Sequence, residues 1–228
     1  MYGKGVRTVL KLNVEEALRY LGVPNPAPDE LRQQAERVAA QLTTMLPPRH
    51  VYRICTLEHE QDGIRLKEAD ILLTGRSAGR MLESCDQAAL LACTLGVGFD
   101  TMLRTAQARD MSQAVLLDAC GSAWVEAGCD AVEEALKDRF PMRYFTDRFS
   151  PGYCDLPLDL QPAICAALDA SRRLGLHVTD SFLLNPMKSV TAIIGISDRP
   201  QMARIRGGDY CTMRARCSLR KRGIHCGT

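Results

Sequence analysis

The chain has 228 residues, 46% hydrophobic and 25% charged, the balance of an ordinary globular protein able to bury a sizeable core. Aromatic residues make up only 5%, with a single Trp, which argues against base stacking and a nucleic-acid partner. No apolar run approaches the roughly 20 residues that cross a bilayer, and no signal-peptide h-region is found, so no membrane is expected and the chain reads as cytoplasmic.

In that compartment the ten cysteines are expected as reduced thiols or metal ligands rather than a disulfide framework. The net charge of +2 conceals an asymmetry. From Gln201 onward seven basic residues stand against one acid, Asp209, so the first 200 residues carry a net charge of about −4. This divides the chain into a mildly acidic body, residues 1–200, and a basic cysteine-containing tail, residues 201–228.

Asn13 before "VEEALRYLG" predicts an N-capped helix that stops at Gly22. From Pro28, Leu31, Ala35, Val38, Leu42 and Met45 recur at helical spacing until Pro47 and Pro48. "VYRICTLEHEQDGIRLKEADILLT" predicts strands about a turn at Asp62-Gly63. "DQAALLACTLGVGFD" predicts a buried strand entering a helix, and Met111 to Lys137 a long helix. A further helix is expected from about Leu160 to Leu174, capped by Asp159 and ended by Gly175. "HVTDSFLLNP" and "KSVTAIIGIS" predict a strand, a turn at Asn185-Pro186 and a second strand. Helices mixed with adjacent strands, without regular βαβ alternation, favour an α+β fold with an antiparallel sheet.

The segment "RFSPGYCDLPLDLQ", residues 148–161, carries the most specific chemistry. Arg148 offers a planar, permanently charged fork for a carboxylate. Pro151 fixes one backbone torsion, and Gly152 removes a side chain that would hold a ligand off the main chain. The plain alternative is a surface turn in which Arg148 pairs with a neighbouring acid. Elsewhere, "GVG" at Gly96–Gly98 is an isolated fragment, and His50, His59 and His177 lack metal-ligand spacing.

Arg148, Gly152 and Tyr153 form an R-x-x-x-G-Y loop. A helix follows, and then Thr179, Ser181, Leu184, Pro186, Ser189 and Val190 in a T-x-S-x-x-L-x-P-x-x-S-V segment. This order and spacing resembles the reactivation domain of cobalamin-dependent methionine synthase, in its stand-alone form. The resemblance implies a component of a methyltransferase in methionine biosynthesis, rather than a catalyst alone. It would bind S-adenosylmethionine through Arg148, Ser150, Gly152 and Tyr153, with Glu126 near the position of a family acid. It also implies a partner that carries cobalamin, either methionine synthase or another corrinoid protein. A flavodoxin-like or iron–sulfur donor would supply electrons for reductive remethylation of cob(II)alamin. The family tyrosine that contacts the cofactor aligns with Ile194.

The tail places Cys211, Cys217 and Cys226 at C-x5-C-x8-C, with His225 beside the last. Thiolates suit zinc or an iron–sulfur cluster, with His225 or Cys154 as fourth ligand. Three reduced thiols in a solvated basic tail is the other reading. A metal-binding redox or docking adaptor without methyl-donor binding is the competing function.

Overall fold

The computed structural model describes residues 2–3 and 10–201. The candidate tail ligands Cys211, Cys217, His225 and Cys226 lie outside the described residues. β1 (Tyr2–Gly3) precedes α1 (Val14–Tyr20), where the Asn13 side chain accepts the Glu16 amide at 3.1 Å, as an N-cap should. α2 (Asp29–Met45) buries Ala35, Val38, Ala39 and Leu42. β2 (Arg49–Glu60), β3 (Gly63–Leu66) and β4 (Ile71–Leu73) form an antiparallel meander.

A short helix that the sequence did not announce, α3 (Arg76–Leu82), follows. Asp155 reaches back to accept the Arg76 and Ser77 amides at 2.8 and 3.0 Å, so the capping group is remote in sequence. β5 (Gln87–Thr94) runs into α4 (Val97–Arg109). Asp110 then caps the 29-residue α5 (Met111–Arg139), accepting the Ser112 and Gln113 amides. The chain continues through β6 (Tyr144–Phe145), α6 (Gln161–Ala167), α7 (Ala170–Leu174), β7 (His177–Val178), β8 (Leu184–Asn185) and β9 (Ser189–Ser197).

The architecture is α+β. An antiparallel sheet runs in the order β4-β3-β2-β5-β9-β6, with β1 added to β2. Both faces are covered. Ala89, Leu91 and Cys93 of β5 point into a core shared with α1, α2, α4 and α5. Ala88, Leu90 and Ala92 point into a second core with α3, α6 and α7. Alternate residues of one strand therefore serve two cores, which is why β5 reads as an unbroken apolar run.

Two expectations are corrected. The helix expected from Leu160 to Leu174 is a 3-10 turn at Leu158–Leu160, then α6 and α7, broken at Asp169 with φ of 52°. Asp159 does not cap it; Leu160 precedes α6 and no side chain caps that end. The break has a packing reason. Ile164 and Leu168 are four apart, as are Ala170 and Leu174, and all four are buried. An uninterrupted helix would carry Ala170 and Leu174 round to another face.

The stretch 177–186, expected as one strand, is itself a two-stranded ribbon. The Thr179 amide donates to the Leu183 carbonyl at 2.8 Å, and the Leu183 amide donates to Thr179 Oγ1 at 3.1 Å. β9 pairs instead with β5 and β6. The expected turn at Asn185-Pro186 is present and contains a cis peptide.

Gly121 lets α5 and α4 meet in the first core. A Cβ there would lie 2.3 Å from the ring of Phe99, which is completely buried. Gly121→Ala is expected to destabilise the protein by about 1–3 kcal/mol through overpacking. Urea unfolding checks this; an unchanged midpoint would show that the Phe99 ring can move aside.

Candidate functional site

The loop begins where the sheet edge ends. Phe149 exchanges two backbone hydrogen bonds with Ile193 of β9, at 3.0 and 2.8 Å. Next to it, Arg148 is turned toward α5, and beyond it the chain leaves the sheet. The Gly152 amide donates to the Leu156 carbonyl at 2.8 Å, and the Tyr153 amide to the Ser150 carbonyl at 3.0 Å. Gly152 sits at φ +85°, and a Cβ would lie 3.1 Å from Leu158 Cδ1. The turn itself therefore requires glycine at this position. Tyr153 stands at the surface, 41% exposed.

Arg148 is held by three carboxylates. Its Nη1 donates to Asp130 at 2.7 Å and to Glu133 at 2.5 Å, and its Nη2 donates to Glu126 at 2.6 Å. Glu126, Asp130 and Glu133 are spaced i, i+4 and i+7, so α5 presents them along one face. The structure thus brings together Arg148 and Glu126, two candidates separated by 22 positions in the sequence. Asp130 and Glu133 were not singled out, although their helical spacing from Glu126 was the available signal.

The electrostatics are uneven. Burial alone would lower the Arg148 pKa, but the nearby carboxylates outweigh it and the guanidinium is held well above its ordinary value. Cys129, beneath it, is driven up by its hydrogen bond with Cys93 and by burial. It is a neutral thiol at neutral pH, so the carboxylates supply the field. Glu133 goes the other way from a usual paired acid: burial raises it, and the attraction of Arg148 does not fully compensate. Three carboxylates around one guanidinium leave a local excess of negative charge.

Glu126 also forms part of the wall of a cleft of about 360 Å³ between α1, α5 and residues 187–190. That size suits a small ligand. Tyr20, Ser122, Val125 and Lys188 contribute to its lining. Burial, then the hydrogen bond that it donates to the Glu16 carboxylate, pushes the Tyr20 phenol up to about 12. Lys188 bridges the walls, donating to Ser122 Oγ at 2.9 Å and pairing with Asp118 at 2.9 Å. The segment that carries it is anchored twice more. The Met187 amide donates to both Asp100 carboxylate oxygens at 3.3 Å, and Ser189 Oγ donates to the Pro186 carbonyl and shares a hydrogen bond with the Thr94 hydroxyl, both at 2.7 Å.

Other sequence candidates fall elsewhere. Ile194 is 1% exposed and packs in the helical core. His59 Nε2 bonds the Cys85 carbonyl at 3.1 Å, and His50 is lowered by burial. Among the described residues no group of three or more His, Cys, Asp or Glu is placed to hold a metal ion. No helix among them is long and apolar enough to cross a membrane.

No family model matches the sequence, and no curated protein matches it. Among solved structures, the chain is similar to the MetH reactivation domain bound to AdoHcy. The TM-score is 0.62 at 16% identity, over 90% of this chain and 76% of that one. At that identity the likeness establishes the fold: this protein has the fold of a methionine synthase reactivation domain.

The sign of the Glu133 shift makes a prediction. A carboxyl raised in the folded state binds its proton more readily there than in the unfolded chain. Its contribution to stability therefore falls as pH rises from the ordinary carboxylate range through the raised value. Glu133→Gln, which imitates the protonated form, is expected to gain on the wild type between pH 4 and pH 7. Paired urea titrations measure the difference; one that does not change with pH would show that Arg148 fully compensates the burial.

Proposed function

We propose that this protein binds S-adenosylmethionine at the Arg148–Glu126 junction and presents it to a cobalamin-carrying partner, as a separately made reactivation component. The observation that carries the reading is this junction. It joins the R-x-x-x-G-Y loop to the carboxylate face of α5 at the edge of a ligand-sized cleft, on a fold also found in a domain solved with AdoHcy.

The chemistry of the residues fits the ligand. S-adenosylmethionine carries a sulfonium, an ammonium and a carboxylate, a net charge of one positive, and the cluster around Arg148 has excess negative charge. Glu126 can accept from the ammonium while the remaining carboxylate charge favours the sulfonium. Arg148 has five N–H donors, and three are directed to α5. Its Nε–H and second Nη2–H form the side-on edge that a ligand carboxylate would take. Ser150, the Gly152 backbone and the Tyr153 ring border the same turn and would receive the adenine. The work of these residues is positioning. Cobalamin, held by the partner, would supply the nucleophile that accepts the methyl group after one-electron reduction by a flavodoxin-like or iron–sulfur donor.

A second reading has its own support. Three carboxylates on Arg148 would equally make a strut that fixes the sheet edge to α5, in a docking adaptor that binds no methyl donor.

Calorimetry with S-adenosylmethionine and S-adenosylhomocysteine separates the two. The intact chain is expected to bind both, and Arg148→Ala to weaken binding by about 1.5–3 kcal/mol, the scale of a hydrogen bond to a charged group. Circular dichroism checks that the variant is folded. If the intact chain gives no heat with either compound while Arg148→Ala loses stability, the strut is the correct reading.

A further inference from the structure

A second cleft, of about 460 Å³, opens in the helical layer between α2, α4 and α5. Its floor at Leu117 lies about 20 Å along α5 from Asp130, at 1.5 Å per residue, so it is separate from the Arg148 site. It is elongated. The α4 residues that line it run from Gly98 to Arg109, about 16 Å of helix.

Val38, Met45, Met102 and Leu117 make most of its surface apolar. The two threonines of α4 add to this. Thr101 Oγ1 donates to the Val97 carbonyl at 3.2 Å and Thr105 Oγ1 to the Thr101 carbonyl at 2.9 Å. Their hydroxyls are spent on their own helix. Among the described residues, the only charged one that lines the cleft is Arg109, at one end. None of the described residues that line it is an acid, and the adjacent Asp110 is committed to the Ser112 and Gln113 amides at 2.9 and 3.2 Å. Among the described residues Arg109 has no ion-pair partner.

We propose that this cleft is a second small-molecule site, for an elongated apolar ligand with one anionic end, an aliphatic monocarboxylate. The volume lies within the range of small-ligand sites, about 300–1,000 Å³, and the single cation at one end sets the orientation. A docked protein segment fits less well. A stable partner needs an interface of about 1,000 Å² with an apolar centre, whereas Met45 is the only large exposed hydrophobic among the lining residues.

The test uses the full chain and isothermal titration with decanoate, decanol and decyltrimethylammonium. Decanoate is expected to bind saturably at one site per chain, and decyltrimethylammonium not to compete. Arg109→Gln should weaken decanoate about tenfold, the effect of one charge-assisted contact, and leave decanol unchanged. Thr105→Trp, which fills the cleft from an exposed position, should abolish binding of both. S-adenosylmethionine titrations of the variants should match the wild type. Absence of saturable decanoate binding overturns the proposal, and so does equal decanoate affinity in Arg109→Gln or in Thr105→Trp.

Discussion

The structure hangs on β5. It is hydrogen-bonded on both edges, to β2 through Arg49–Thr56 and to β9 through Ser189–Ile196, and it is buried on both faces. A strand with no solvent-facing side can carry no polar alternation, so its residues are chosen for volume alone. Ala88, Ala89 and Ala92 keep it thin, which brings helices close on either side. The connections that leave β5 and enter β9 are consequently fixed at one end of the sheet. Ser189 and Thr94, the terminal residues of those two strands, share a hydrogen bond there.

α5 packs against β5 and β9 and presents two distinct sides. One side of the helix is core, with Leu117, Trp124, Val132 and Leu136 among its buried residues. Another side carries a polar stripe: Asp118 and Ser122 hold Lys188, and Glu126, Asp130 and Glu133 hold Arg148. Two cations from different loops are thereby registered against one rigid rod. Glu126 sits where the two registers meet, in the cleft wall and on Arg148 at once.

The Arg148 cluster is not a simple stabilising ion pair. Removing a guanidinium and carboxylates from water carries a cost that their attraction offsets only in part, and the raised pKa of Glu133 is the local sign of that imbalance. An over-acidic cluster is tolerable where a further positive charge completes it. Under the proposed function that charge is the ligand's, whereas the cleft between α2 and α4, with its lone Arg109, has the opposite polarity.

The sequence by itself determined the elements with strong local signals. Asn13 and the acids after it started α1, Pro47 followed the end of α2, and the apolar run at 88–93 announced a buried strand. It also supplied the order R-x-x-x-G-Y, helix, T-x-S-x-x-L-x-P-x-x-S-V, which pointed to the fold before any contact was known. Only the tertiary structure decided what those residues touch. α3 depends on a cap from Asp155, far along the chain. The break at Asp169 arises because two apolar pairs must face one sheet, a demand that local propensity does not contain. Glu126 and Arg148 meet because a sheet edge and a helix are packed together, and the helix converts a spacing of four and three residues into a single acidic face. Periodicity is written locally and can be read from sequence, whereas the partner of a charge is set by which surfaces the cores bring together.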